Sequence, residues 1–235
     1  MLKINNLSFK ISKKNILKNI NFEVKSGEIF NILGHNWSWK TSLLKSIIWL
    51  NKIDGEIIFK EKNIEKLEIP ERSNLGISYI MQEIPEYTGI AIETYLRWIL
   101  KEKFDLEKVS KLFEDFGLSY EIYKTRFFDS HLSGWERKKI EIIVNFLMDK
   151  DLYLLDEIEA SLDANSRQVL INLILSENKK WKTFIIVSHS KDILELAKSW
   201  ILLCEGKIDS FWDNKKLLNK YFWLCEWCNW GKCEK

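Results

Sequence analysis

Residues 34–42 read Gly34-His35-Asn36-Trp37-Ser38-Trp39-Lys40-Thr41-Ser42, between an apolar run at 28–33 and a stretch, 41–50, whose Leu43, Leu44, Ile47 and Ile48 recur at helical spacing. A strand that passes through such a segment into a helix has few solutions, because the helix must pack back on the sheet that the strand enters. At that junction the pattern G-x-x-x-x-G-K-[ST] makes a phosphate-binding loop. Backbone N–H groups of the glycine-rich turn wrap phosphates, the lysine neutralises charge and the hydroxyl holds Mg²⁺. The helix N-terminus adds free N–H groups and a dipole that favour anions. Gly34, Lys40 and Thr41 fit the pattern, but Trp39 stands on the second glycine. Its indole would fill the space phosphates need, where glycine is used for positive φ and close approach.

The anomaly recurs. Leu132-Ser133-Gly134-Trp135-Glu136 resembles the LSGGE-type signature of the ABC ATPase superfamily, again with tryptophan on a glycine. Trp37, Trp49 and Trp181 also fall where that superfamily commonly carries glycine. The chain has 11 Trp and 9 Gly, so glycine is about 4% of its 235 residues against a usual ~7%; read as glycine, the tryptophans would bring it to about 8.5%. The expectation is that many of these tryptophans come from a genome that reads UGA as glycine but was translated with UGA as tryptophan. The alternative is a degenerate, inactive ATPase or non-catalytic binding module.

Length and composition fit one α/β domain: 46% hydrophobic and 30% charged residues are ordinary globular values. A net charge of +2 gives no reason to invoke nucleic acid. No run of 18 apolar residues and no signal-peptide order is present, so a cytoplasmic protein without direct membrane insertion is expected. Alternation predicts strands at 2–9 and 20–25, and further strands at 28–33, 55–60 and 77–81. From 90 to 148 the pattern is helical, without a strand of any length, suggesting an inserted helical subdomain. Short apolar runs at 151–155, 183–187 and 200–204 read as buried parallel strands. The expected architecture is α/β: a P-loop NTPase core with a parallel sheet, an N-terminal antiparallel β subdomain and the helical insertion. It spans 1–222 as a single domain, followed by a tail at 223–235.

The run at 151–157, Asp151-Leu152-Tyr153-Leu154-Leu155-Asp156-Glu157, looks like a Walker B strand, apolar and ending in two carboxylates. Asp156 would hold Mg²⁺ and Glu157 would activate the attacking water. Gln82 matches the superfamily's Q-loop, Ser161-Leu162-Asp163 its D-loop and His189 its switch histidine. The resemblance covers about 2–222 and implies catalytic roles for Glu157, His189 and Gln82, with Mg²⁺ on Thr41, Gln82 and Asp156. ATP would be held by residues 34–42, by Ser133, Gly134, Trp135 and Glu136, and by Asp163. Where many members stack adenine on an aromatic side chain, this chain has Ile11; Phe9, two residues away, reads as core.

Within the superfamily the chain looks most like the ATPase subunit of the Suf iron–sulfur cluster assembly system. The segment 133–142 is similar to that family's SGGEKKRNEI, Ile158-Glu159 replaces the Pro-Thr usual in transporters, and Gln82, Glu86 and Gly89 keep its spacing. The resemblance implies an ATP-dependent head-to-tail homodimer working with a scaffold protein of iron–sulfur assembly. A membrane permease is the alternative partner. The tail carries Cys225, Cys228 and Cys233 among Trp223, Trp227 and Trp230, three thiols where a closed zinc site needs four ligands. Cys204 reads as a small buried hydrophobe.

Overall fold

The computed structural model describes residues 1–48 and 51–212. Trp49, the end of the expected helix at 41–50 and the whole Cys- and Trp-containing tail lie outside the described residues. In chain order the elements begin β1 (Leu2–Ile11), β2 (Lys14–Val24), β3 (Ile29–Leu33), α1 (Lys40–Ile47), β4 (Ile53–Phe59), β5 (Lys62–Asn63), α2 (Ile69–Leu75) and β6 (Ile77–Ile80). The helices α3 (Ile92–Leu100), α4 (Leu106–Asp115), α5 (Tyr120–Tyr123) and α6 (Gly134–Leu147) follow. The chain then runs through β7 (Leu152–Asp156), α7 (Ala164–Lys179), β8 (Thr183–Val187), α8 (Lys191–Leu194), β9 (Ser199–Cys204) and β10 (Lys207–Trp212).

Two sheets result. Strands β2-β1-β4-β5 pair antiparallel, and β10-β9-β3-β8-β7-β6 form a second sheet, parallel apart from its β10 edge. Every residue of β3, β7 and β8 is buried, as a sheet covered on both faces requires. Alternate side chains serve opposite cores. Tyr153, Leu155, Phe184 and Ile186 join the helical layer of α3, α4, α6 and α7. Leu152, Leu154, Ile185 and Val187 join α1 and the antiparallel sheet. Phe146 of α6, Tyr153 and Phe184 stack with ring centroids 5.0 and 5.1 Å apart, a contact between the helical layer and the sheet.

Several boundaries differ from the sequence expectation. β2 begins at Lys14 rather than 20, because register shifts in the β1–β2 pairing bury Ile16 and Leu17 together and erase the alternation. α2 was not anticipated, although Pro70 lies in its first turn and Glu71 accepts the Glu68 N–H at 2.8 Å. β5 and β10 were also not expected: β5 has two residues, and a register shift between Ile208 and Ser210 breaks the alternation of β10. Within 90–148, where no strand was expected, Ala91 and Phe127 form a single antiparallel bridge. Cys204 is half-buried rather than buried, at the end of β9. Phe9 does lie in the core, at 9% exposure.

Arg72 of α2 is fully buried, and burial lowers its pKa to about 10. Its guanidinium donates to the carbonyls of Ser46 (3.3 Å) and Ile47 (2.7 Å) at the end of α1, and to Leu67 (2.8 Å) and Glu65 (2.9 Å). It satisfies helix-end acceptors and places a positive charge at the negative end of the α1 dipole. Arg72→Met is expected to destabilise the fold by about 3 kcal/mol or more, since it strands buried carbonyls. Urea unfolding at fixed pH measures this, and a loss under about 1 kcal/mol would contradict the role.

Candidate functional site

The parallel pairing brings the carboxyl ends of β3, β6, β7 and β8 to one edge, with β8 between β3 and β7. Ligand sites of open α/β sheets lie at such an edge. The 34–39 loop leaves β3, Gln82 follows β6, Asp156 and Glu157 end β7, and His189 follows β8.

Gly34 is required where it stands: a Cβ there would lie 2.5 Å from the Leu203 carbonyl oxygen and press on the Ser38 hydroxyl. Lys40 Nζ turns back on the loop, donating to the carbonyls of Gly34 (2.8 Å) and His35 (3.1 Å). Trp39 is the residue before α1, in left-handed geometry at φ +75°, and offers no side-chain cap. Trp37 has φ +72° and is 85% exposed. Trp181, after α7, has φ +66°. Its N–H bonds Asn178 O at 2.9 Å and the next N–H bonds Glu177 O at 3.3 Å, the double bond of a helix stop that glycine normally serves. Among the described residues, every other non-glycine residue at positive φ is polar. Trp200, by contrast, is fully buried in the core of the helical layer.

Asp156 is fully buried, and burial pushes its carboxyl pKa up. Thr41 Oγ1 donates to its Oδ1 at 3.1 Å and Tyr79 Oη to its Oδ2 at 3.0 Å. Tyr79 was not among the expected site residues. Its signal exists only once β6 is known to lie beside β7, where Tyr79 pairs with Leu154. Glu157 holds φ +48°, and its carboxylate accepts Gln82 Nε2 at 3.0 Å and stands 3.4 Å from His189 Nε2. The bond to His189 lowers the Glu157 pKa and outweighs partial burial, with the charges of His189 and Lys40 acting in the same direction.

A cavity of about 390 Å³ is lined by Asn36, Trp37, Trp39, Lys40, Thr41, Gln82 and Glu157. A second, of about 420 Å³, is lined in part by Glu157 and His189. The hydroxyl of Thr41, the carboxylate of Asp156 and the amide of Gln82 offer oxygen donors of the kind Mg²⁺ takes. Among the described residues, no cluster of three or more His, Cys, Asp or Glu could hold a metal ion.

Other expected residues stand apart from these cavities. Ser133 begins α6 in a capping box: its backbone N–H and hydroxyl both donate to Glu136 Oε2 at 2.7 Å, and Glu136 N–H donates back at 3.3 Å. Trp135 is 45% exposed, its ring 4.7 Å from Lys139 Nζ. Asp163 caps α7, accepts from Ser166 N–H at 2.9 Å and meets Lys139 Nζ at 3.0 Å. Ile11 is 53% exposed at the end of β1, and the following turn brings Lys14 Nζ 5.3 Å from the Trp39 ring. Behind the signature, Lys138 Nζ donates to the carbonyls of Met81 (2.6 Å) and Gln82 (2.5 Å), and Arg137 Nη1 lies 3.2 Å from Glu86 Oε1.

Burial would raise the Glu136 pKa, but hydrogen bonds from Tyr123 and Ser133 and the Arg126 charge hold it at about 2, from 4.5. A carboxyl depressed in the fold stabilises above its unfolded pKa, and that stability is lost as pH falls through the folded value. Denaturation midpoints should therefore drop between pH ~4.5 and ~2, and Glu136→Gln should flatten that segment. An unchanged profile in the variant would exclude Glu136 as its source.

The sequence profile of the family described as ABC transporter matches residues 17–160. An uncharacterized ABC transporter ATP-binding protein of Methanocaldococcus jannaschii is 29% identical over 244 aligned positions, covering 100% of this chain and 96% of its own. A probable ATP-dependent transporter of Trieres chinensis is 30% identical, covering 84% of each chain. Among solved structures, a dimeric ATP-binding cassette in a post-hydrolysis state with ADP and Pi superposes with a TM-score of 0.78 at 20% identity, covering 91% of this chain and 98% of the other. No helix among the described residues is long and apolar enough to cross a membrane. Fold, site and relatives together place the chain in the ABC transporter family, as an ATP-binding cassette ATPase.

Proposed function

We propose that the chain binds ATP with Mg²⁺ and hydrolyses it as one half of a head-to-tail homodimer, and that hydrolysis drives a partner protein from the cytoplasm. The carrying observation is that Lys40, Thr41, Gln82 and Glu157 line one cavity, while the signature residues 133–136 and Asp163 line neither cavity at that edge. A second copy is needed to complete such a site. Thr41, Asp156 and Gln82 would hold Mg²⁺, which would neutralise charge on the phosphates. Residues 34–42 wrap the phosphates with backbone N–H groups, and Lys40 moves from its carbonyl partners to the γ-phosphate. Glu157 orients water and takes its proton as the water oxygen bonds to the γ-phosphorus and the bond to the bridging oxygen breaks. His189 steadies the γ-phosphate beside it. From the other copy, Ser133 and the first N–H groups of α6 close on the same phosphate, with Asp163 near the contact. Ile11 gives adenine an apolar contact.

Glycine at 37, 39, 135 and 181 in the protein its host makes is part of the proposal. Left-handed backbone costs an L-residue about 1–2 kcal/mol, and a bulky aromatic adopts it rarely. Three tryptophans adopt it here, and Trp181 does so at a helix stop outside the cavities that Lys40 and Glu157 line. Loss of function would not direct tryptophan to that stop, whereas recoding predicts it. Trp200, packed and fully buried, is encoded tryptophan on the same reasoning. Intact-mass measurement of protein from its host tests this, and tryptophan found at 37, 39 and 135 would overturn it. Trp181→Gly should also raise stability by about 1 kcal/mol in urea unfolding.

Two partners remain in view. A permease follows from the names of the relatives. A scaffold of iron–sulfur assembly follows from segments 82–89 and 133–142, and the Arg137–Glu86 ion pair joins those two segments. Copurification from the host separates an integral membrane protein from a soluble one. In the glycine-bearing chain, Glu157→Gln should lower turnover by about 100-fold or more while ATP binding persists and dimer accumulates. Rapid hydrolysis by that variant would remove Glu157 from its role.

A further inference from the structure

Glu159 lies in the turn between β7 and α7, two residues beyond Glu157, and is 5% exposed. A carboxylate is costly to bury unless its charge is used. Glu159 Oε1 accepts a hydrogen bond from the hydroxyl of Ser188, itself 2% exposed. A hydroxyl has one proton. With that proton committed to Glu159, the Ser188 oxygen turns its lone pairs to the backbone, where it accepts the Ser190 N–H at 3.0 Å. The chain Glu159–Ser188–Ser190 N–H therefore brackets His189, whose Nε2 stands 3.4 Å from Glu157 Oε1. Glu159, His189 and Ser190 also line one cavity together with Glu157.

We propose that Glu159 is a positioning residue for His189: through the Ser188 hydroxyl it sets the 188–190 turn, so that the imidazole stands at the edge of Glu157. The inference rests on the ATPase reading of that site. A bond from a hydroxyl to a carboxylate is roughly twice as strong as a neutral one, which suits a turn that must hold its place as nucleotide enters and leaves. It also ties the segment after the Walker B strand to the segment after β8, two parts of the chain 29 positions apart.

The test uses the full-length glycine-bearing chain, with Glu159→Ala, Glu159→Gln and Ser188→Ala each made alone and with His189→Ala. Glu159→Ala should lower kcat for ATP by about tenfold or more with KM within about twofold, since a small misplacement of a catalytic group is enough for that. Glu159→Gln should keep most activity, because its amide oxygen accepts the same hydroxyl. In the His189→Ala background Glu159→Ala should cause no further loss; an equal loss in both backgrounds would overturn the proposal. Hydrogen–deuterium exchange gives a readout without turnover, so the proposal can fail separately from the ATPase reading. Glu159→Ala and Ser188→Ala should both speed exchange across 188–190, and unchanged protection there would also overturn the proposal. Should Glu159→Ala not fold, Ser188→Ala carries the same expectations for kcat, KM and exchange.

Discussion

The parallel pairing of β8 between β3 and β7 is the constraint on which the site depends. Three strands with every residue buried can pair only in the middle of a covered sheet, and their common direction sends all three following loops to one edge. The lysine, the two carboxylates and the histidine are far apart in sequence, and this pairing alone assembles them. The hydrogen bonds of Thr41 and Tyr79 to Asp156 then join α1, β6 and β7 around one buried charge.

Much of this was legible because the decisive residues are local signals. The apolar runs at 151–155 and 183–187 are strands within a residue of the expected bounds, since continuous burial leaves a plain pattern. The ordered series Lys40, Gln82, Asp156, Glu157, His189 could be read because each member follows an apolar run that reads as a strand. What stayed hidden depends on neighbours. Tyr79 reaches Asp156 only because β6 adds to the edge of β7, and the early start of β2 is masked by bulges that bury two successive side chains. The short α2 carries few apolar residues, and a register shift in β10 breaks its alternation. The resemblance implies nucleotide contacts for the signature residues and Asp163; within one chain their partners are in α6, α7 and at Lys139.

Three tryptophans stand apart by backbone geometry, a feature that Trp135, inside α6, does not share. Trp200 fills a core, while Trp37, Trp39 and Trp181 occupy conformations in which side chains are a burden. Two of these three lie in the loop between β3 and α1 and the third ends a helix, so the factor these three share is backbone demand, not the chemistry of any one site.

Lys138 and Arg137 give the molecule a mechanical property. Two consecutive residues of α6 grip the chain leaving β6, one through the carbonyls of Met81 and Gln82, the other through Glu86. The helix that begins at Ser133 is thus geared to the segment that presents Gln82 to Glu157. Any displacement of that helix would pull on the same segment, so the first turn of α6 and the amide that meets the Glu157 carboxylate are coupled as parts of one rigid lever.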